Sequence, residues 1–263
     1  MALREPVAAG SFYPKEKEEL RQQLQEFFKG LPAQKKTNCI IAPHAGYVYS
    51  GRTAAFAFNA LQESRCFAIL GPNHTGFGPA ISISDADEWE TPLGRIKVDS
   101  ALREKLLAGT GIEADDSAHV QEHSIEVQLP FLQFLFKESR ILPITLMEHR
   151  LPELLKLAKA IASLGENISV IASSDFTHYE PKQAAEKKDG SAIKRIADLD
   201  VKGFHEMVLA QNMSICGFAP ITALMQYAVE KRLKKGKLLH YDTSATASGD
   251  ETAVVGYAAI GFY

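Results

Sequence analysis

The stretch CFAILGPNHTG (residues 66–76) is an apolar run that ends abruptly in a polar loop containing a histidine. The same design recurs in CIIAPHAGY (residues 39–47) and in SVIASSDFTH (residues 169–178). Continuous apolar runs are typical of strands buried on both faces, and helical patterns lie between these three. We therefore predict an α/β fold with a mainly parallel sheet that is covered by helices on both faces.

The three histidine loops follow the carboxyl ends of their predicted strands. In open α/β sheets, ligands bind just beyond those ends. The loops that contain His44, His74 and His178 are therefore expected to share one site.

Weaker patterns predict the remaining elements. Alternating or apolar runs predict strands at residues 81–84, 95–99 and 141–146, and two more between residues 238 and 263. Apolar residues at helical spacing predict helices at residues 15–29, 151–164, 183–210 and 220–233. The third of these helices is expected to break near Leu199 and Asp200. No segment has the composition of a linker, so we expect residues 1–263 to form a single domain.

The composition excludes several classes of protein. The chain has 263 residues, a formal net charge of −3 and 46% hydrophobic residues, which are ordinary values for a globular protein. A nucleic-acid-binding protein would need a basic face, and a membrane span would need a longer apolar run. The first residues lack the apolar core of a signal peptide, and three widely spaced cysteines do not form a disulfide framework. We therefore expect a cytoplasmic protein that binds neither nucleic acid nor membrane.

The histidines are the main candidates for chemistry, because no Walker A, GxGxxG, GxSxG, HExxH or CxxC motif is present. His44 and His74 each stand near a glycine at a strand end, although a turn histidine that only caps the backbone is a simpler interpretation. His123 and Glu126 would share a helix face, as in a metal site or a histidine held by a carboxylate. The alternative is an ordinary first helical turn with Glu126 near the positive end of the dipole. His119 is expected in a solvated loop.

The densest polar cluster lies at residues 173–179. Asp175 and His178 suit a proton-transfer pair in which the carboxylate fixes the imidazole tautomer, or a helix N-cap beside an exposed histidine. Cys216 precedes a predicted helix whose N-terminus favours thiolate, although a lone cysteine is more often a small buried hydrophobe. Two strand-end histidines and one thiolate would form a three-ligand site for Fe(II), Cu(I) or Zn(II) rather than Mg(II) or Ca(II).

Taken in order, these motifs resemble the Memo family, which is similar in fold to the class III extradiol ring-cleaving dioxygenases. The matching segments are AAGSFYP (8–14), PHAGYVYSG (43–51), LGPNHTG (70–76), EHSIEVQLPFL (122–132), SSDFTHY (173–179) and CG (216–217). They run across nearly the whole chain and are specific as a set. The resemblance implies one α/β domain of three layers, with a central mixed, mainly parallel sheet and a metal pocket at its edge.

The resemblance also implies roles for individual residues. The family's metal ligands fall on His44, His74 and Cys216. The acid–base histidine of the dioxygenases corresponds to His178, with Asp175 beside it, and a further active-site histidine corresponds to His123. The dioxygenases have a carboxylate where this sequence has the cysteine, so the resemblance does not extend to ring cleavage itself.

Three functions are compatible with this set of residues. The first is a metal-dependent oxidoreductase that uses Fe(II), with copper or zinc as alternative ions. The second is a non-catalytic adaptor that binds a small molecule or peptide in the same pocket, and the third is metal-assisted hydrolysis with His178 or Glu126 as the base. Microbial members of the family often occur beside radical-SAM proteins, which implies a functional link to such a partner. We favour the first function, because a scaffold does not need His123, Asp175 and His178 around three metal ligands.

Overall fold

The computed structural model describes residues 2–263 of the chain. Its strands are β1 (Leu3–Arg4), β2 (Cys39–Ala42), β3 (Cys66–Pro72), β4 (Ile81–Ile83), β5 (Glu88–Thr91), β6 (Gly94–Val98), β7 (Glu113–Ala114), β8 (Arg140–Leu146), β9 (Ile168–Ser173), β10 (His178–Glu180), β11 (Gly236–Thr243) and β12 (Val254–Phe262). Its helices are α1 (Lys17–Phe28), α2 (Tyr47–Ala60), α3 (Ser100–Thr110), α4 (Leu129–Leu135), α5 (Leu151–Ser163), α6 (Lys182–Ala197), α7 (Val201–Ala210), α8 (Phe218–Glu230) and α9 (Ala245–Ser248). Among these helices, none is both long and apolar enough to cross a membrane.

The strands of residues 2–263 form one mixed sheet. Its main path runs β1-β5-β6-β8-β3-β9-β2-β12-β10, with β11 paired to β12 and with β4 paired to β7 and β8. Within the central run β6-β8-β3-β9-β2, each strand is parallel to the next. Antiparallel pairs flank this centre, for example β5 with β6 and β2 with β12. The predicted mixed, mainly parallel sheet is therefore confirmed.

Alternate side chains of the central strands enter two separate cores. In β2, Cys39 and Ile41 pack with residues from α5, α7 and α8, whereas Ile40 and Ala42 pack with residues from α1, α2 and α4. Because successive strand residues point to opposite faces, a strand that is apolar throughout needs helices on both sides. The three-layer α/β architecture follows directly from these continuous apolar runs.

The helix boundaries agree with the sequence patterns at most places. The predicted break near Leu199 and Asp200 is confirmed, because α6 ends at Ala197 and α7 begins at Val201. The prediction that His123 and Glu126 lie on one helix was wrong. Residues 126–128 form a 3₁₀ turn, and α4 begins only at Leu129. Pro130 lies in the first turn of α4, where its missing N–H does not interrupt the helix.

His119 is a second correction, because it is fully buried rather than solvated. Its ring packs edge-on against Trp89, with 5.7 Å between ring centroids. Its carbonyl oxygen accepts hydrogen bonds from the Arg4 guanidinium. Burial is the main cause that lowers the pKa of His119 to about 4, so the ring is neutral at physiological pH.

A buried ion pair attaches the N-terminal segment to the loop before α4. Arg4 and Glu126 form this pair with almost no solvent exposure of either side chain. The Glu126 carboxylate also accepts hydrogen bonds from the backbone N–H groups of Val7 and Ala8, both at 2.9 Å, and from the Tyr13 hydroxyl. One carboxylate thus connects four residues at the start of the chain to a loop more than 110 residues later.

We expect Glu126→Gln to lower the free energy of unfolding by about 3 kcal/mol or more, because the buried Arg4 charge would lose its partner. Urea denaturation followed by circular dichroism measures this change. Glu104→Gln, an exposed position on α3, is the matched control and should change stability by less than about 0.5 kcal/mol. Equal stability of the two variants would contradict a structural role for the Arg4–Glu126 pair.

Candidate metal centre

His44, His74 and Cys216 meet at the carboxyl edge of the central strands. His44 lies two residues after β2 and His74 two residues after β3, while Cys216 stands just before α8. One ligand atom from each of the three lies within 4.8 Å of the others. Because β3, β9 and β2 are neighbouring parallel strands, the loops that follow them are brought together at one edge.

A chain of hydrogen bonds fixes the protonation of the His44 ring. The Ser173 hydroxyl donates its hydrogen to the Ser124 carbonyl (2.6 Å) and accepts one from the Gln128 amide (2.8 Å). Nδ1 of His44 lies 2.9 Å from the same hydroxyl oxygen and must be the donor, because Ser173 has no second hydrogen to give. The lone pair of His44 is therefore on Nε2, which lies 3.2 Å from Cys216 Sγ.

Glu122 holds His74 in the same way. Its carboxylate accepts hydrogen bonds from Nδ1 (2.9 Å) and from the backbone N–H (2.5 Å) of His74, and from the backbone N–H of Ser124 (2.8 Å). Although burial opposes ionisation, the hydrogen bonds from His74 lower the pKa of Glu122 to about 2. The carboxylate is thus an acceptor, and Nδ1 of His74 carries a hydrogen. Although burial opposes it, the hydrogen bond to Glu122 raises the pKa of His74 above its ordinary value, so the Nε2 lone pair is available in the neutral form of the ring.

His178 lies next to this group, and its ring orientation is also fixed by acceptors at Nδ1. Its Nδ1 donates to two carbonyl oxygens, those of Phe176 (2.7 Å) and Ser214 (2.8 Å). We expected Asp175 to fix this tautomer, but its Oδ1 instead accepts from the backbone N–H groups of His44 (2.8 Å) and Ala45 (3.3 Å). Asp175 therefore orients the loop that carries His44. Burial raises the pKa of this carboxyl above its ordinary value.

Cys216 is positioned by an unusually close approach of two backbones. A side chain at Gly217 would come within 2.4 Å of the Ser173 carbonyl oxygen and of Ser174 Cβ, so only glycine fits there. Sγ of Cys216 also accepts a hydrogen bond from the Asp175 N–H at 3.2 Å. Burial and then the Asp175 carboxylate raise the pKa of the thiol well above its ordinary value. We expected the helix N-terminus to favour the thiolate form of Cys216. In the protein without metal, burial has the larger effect and favours the neutral thiol.

His123 and Phe12 form one wall beside the three candidate ligands. The His123 ring stacks on His74 (4.9 Å between centroids) and on Phe12 (4.3 Å). The carboxylate nearest to His123 is Glu122, at 3.4 Å, and not Glu126 as the i,i+3 spacing had indicated. Phe12 belongs to the segment attached by Glu126, so the N-terminal residues contribute directly to the pocket.

The donor set fits a single transition-metal ion. Burial lowers the pKa of His44 well below its ordinary value and keeps its ring neutral, as ligation requires. Ligating histidines usually donate their other N–H to a carboxylate or other acceptor, as His44 and His74 do here. His74, Glu122 and His123 also lie close enough to hold an ion. The three hydrogen bonds that Glu122 accepts instead give it the role of orienting His74.

Glu122, Ser173 and Gln128 lie within the motifs of the sequence, but sequence reasoning assigned them no role. The only available signal was their position beside His123 and at the end of a predicted strand. Glu122 and Ser173 act as acceptors for the histidine rings, and Gln128 acts as a donor to Ser173. These roles depend on contacts between segments that are far apart in the chain, and one-dimensional spacing does not contain that information.

We expect Glu122→Gln to weaken the binding of Zn²⁺ about tenfold or more, because an amide makes the His74 ring a poorer ligand than a carboxylate does. Competition with a chromophoric chelator measures the affinity, and Glu104→Gln serves as the control. Unchanged affinity in a folded Glu122→Gln variant would show that His74 is not a ligand or that Glu122 does not support it.

Comparison with known proteins gives consistent matches over almost the full length. A family model described as Memo-like protein matches residues 4–261. A MEMO1 family protein of Methanosarcina barkeri is 43% identical over 264 residues, which cover 98% of this chain and 99% of that protein. A MEMO1 family protein of Methanopyrus kandleri is also 43% identical and covers 98% of each chain.

One solved structure shares the fold at low sequence identity. It is the crystal structure of an uncharacterized protein from Escherichia coli K12, with a TM-score of 0.56 and 12% sequence identity. The match covers 80% of this chain and 92% of the other. At this identity, the likeness concerns the fold alone.

Proposed function

The chain belongs to the family of Memo-like proteins, and we propose that it binds one transition-metal ion through His44, His74 and Cys216. The observation that carries this proposal is the hydrogen bonding behind the two histidine rings. Ser173 and Glu122 each accept a hydrogen from Nδ1, which leaves Nε2 as the ligating nitrogen of each neutral ring, next to one sulfur atom. Such pre-orientation is characteristic of metal sites, whereas a histidine that only caps a turn does not need it.

We propose Fe(II) as the resident ion and oxygen-dependent oxidation as the reaction class. Two imidazoles and one thiolate suit Fe(II), and they also suit copper and zinc. When bound, iron in such a three-ligand site supplies a redox couple and open coordination positions. The pocket would then be the active site of an oxidoreductase rather than the binding site of a scaffold protein.

The chain's own residues would bind, orient and protonate the substrate. Nδ1 of His178 is occupied by two carbonyl acceptors, so Nε2 is the ring nitrogen that would take a proton from a substrate hydroxyl and later return it. The stacked rings of Phe12 and His123 cover one side of the pocket and exclude water from it. His123 stands close enough to His44 and His74 to hydrogen-bond a ligand held between them.

Metal-assisted hydrolysis has less support than oxidation. One of its two candidate bases, Glu126, is fully buried and engaged with the N-terminal segment. The thiolate is also a softer ligand than hydrolytic sites usually employ. A non-catalytic adaptor would use the same pocket, but it would not need a histidine held in one orientation as His178 is.

We expect protein purified without oxygen to contain about one iron per chain, and His44→Ala and Cys216→Ala to contain almost none, because each loses one of three ligands. Elemental analysis by mass spectrometry measures the metal. His149→Ala, which changes an exposed histidine outside the cluster, should retain the wild-type content. Wild-type protein that contains no metal and takes up neither Fe(II), Cu(I) nor Zn(II) would refute the proposal.

We expect His178→Gln to retain metal but to lose turnover by a factor of about 100 or more, because general acid–base groups typically contribute this much. Oxygen uptake by the iron-loaded protein, recorded with an electrode during a screen of phenolic and amine substrates, measures the rate. A variant that consumes oxygen as fast as the wild type on the same substrate would remove His178 from the reaction.

A further inference from the structure

A cavity of about 400 Å³ lies beside β10 and is lined by Tyr179 and Val255, the chain neighbour and the strand partner of His178. Its lining includes three tyrosines, two serines and one carboxylate, namely Tyr49, Tyr179, Tyr257, Ser244, Ser248 and Asp250. Tyr179 follows His178 directly in the chain, and the two rings meet edge-on at 5.8 Å between centroids. We call this space the tyrosine cavity.

The backbone of Tyr179 has a conformation that is unusual for a residue in a β-strand. Its φ is +58°, in the left-handed region that side chains other than glycine rarely adopt. The other residues with positive φ, apart from glycines, are Leu199, Asn212 and Arg232, and each closes a helix, where this conformation is routine. Tyr179 instead lies inside β10.

The strain at Tyr179 coincides with a bulge in the sheet. The pairing of β10 with β12 is irregular between His178 and Glu180, so Tyr179 is left out of the ladder. Bulges near functional sites redirect a side chain, and strained residues persist when a site requires them. The Tyr179 side chain is 77% exposed, so packing in a core does not explain its placement.

The hydroxyl groups of the tyrosine cavity are also unengaged. Within residues 2–263, the phenol groups of Tyr49, Tyr179 and Tyr257 make no hydrogen bond, although Tyr257 is otherwise buried. These hydroxyl groups are not sealed from solvent, so they are free to meet a ligand in the cavity. Tyr49 is 44% exposed and also lines the cavity.

The charges around the tyrosine cavity favour a cation. Asp250 is the only charged residue in the lining, which contains no lysine, arginine or histidine. Burial and then the nearby carboxylate of Asp175 raise the pKa of Tyr257, and Asp242 acts in the same direction. Lys182, the cation that follows β10, is paired with Glu251 at 2.6 Å. Aromatic faces with a carboxylate nearby attract ammonium groups and disfavour anions.

We propose that the tyrosine cavity binds an organic ammonium group of the substrate or ligand that occupies the neighbouring metal pocket. The ammonium would lie against the faces of Tyr49 and Tyr179, with Asp250 as its counter-charge. This inference rests on the proposed function, because it assigns one end of the ligand to the tyrosine cavity and the other end to the metal pocket.

The test compares choline with 3,3-dimethylbutan-1-ol, which has the same shape without the charge. Isothermal titration of both metal-free and metal-loaded protein should show that choline binds more tightly than the neutral alcohol. Tyr179→Leu and Asp250→Asn should each weaken choline binding about fivefold or more, whereas Tyr179→Phe should bind as the wild type does, because it keeps the aromatic face. Phe77→Leu is the control, since this exposed aromatic residue lies on the His74 loop outside the tyrosine cavity.

The outcomes separate this inference from the proposed function. Choline binding that depends on Tyr179, in a protein that takes up no metal, would support the tyrosine cavity and refute the metal proposal. Normal metal loading with equal affinity for choline and the neutral alcohol, or with no binding of choline, would overturn the ammonium inference alone. Stronger binding of inorganic phosphate than of choline at this cavity would also overturn it. Thermal melting of Tyr179→Leu checks that a loss of binding does not reflect unfolding.

Discussion

The parallel pairing of β2, β9 and β3 is the constraint on which the candidate site depends. Ala42 is in register with Ser173, and Leu70 with Ala172, so the three strands end at nearly the same level. Loops that are far apart in sequence therefore emerge side by side. A shift of one strand by a single residue would move His44 away from Ser173 and turn its apolar side chains toward the wrong core.

Each of the three histidine rings donates its Nδ1 hydrogen to an acceptor, and for two of them this acceptor is a backbone carbonyl or is bonded to one. The carbonyl oxygens of Phe176 and Ser214 fix His178, and the Ser173 hydroxyl, itself bonded to a carbonyl, fixes His44. Because carbonyl groups do not titrate, the acceptors behind His44 and His178 do not change with pH. Only His74 depends on an ionisable acceptor, and its partner Glu122 stays charged because its pKa lies near 2.

We predicted no bounds for α2 and α3, although these helices have 14 and 11 residues. The central strands were predictable from their apolar runs, and the helices α1, α5, α6, α7 and α8 were predictable from apolar residues at helical spacing. The two-residue strands β1 and β7 were not, since such short segments carry no periodicity. Glu126 shows a different limit. Its spacing from His123 indicated a shared helix face, but the local 3₁₀ turn directs its carboxylate toward Arg4, a partner 122 residues away. The site residues could be nominated from the sequence, whereas the groups that orient them depend on contacts across the sheet.

The attachment of the N-terminal segment to Glu126 has a consequence for biosynthesis. Residues 4–13 are synthesised more than a hundred residues before Glu126, the carboxylate that holds them. Throughout that interval the segment lacks this anchor, although Tyr47, which packs against Tyr13 and donates its N–H to the Phe12 carbonyl, is made earlier. The wall of the pocket that Phe12 provides is thus completed only once Glu126 has been synthesised.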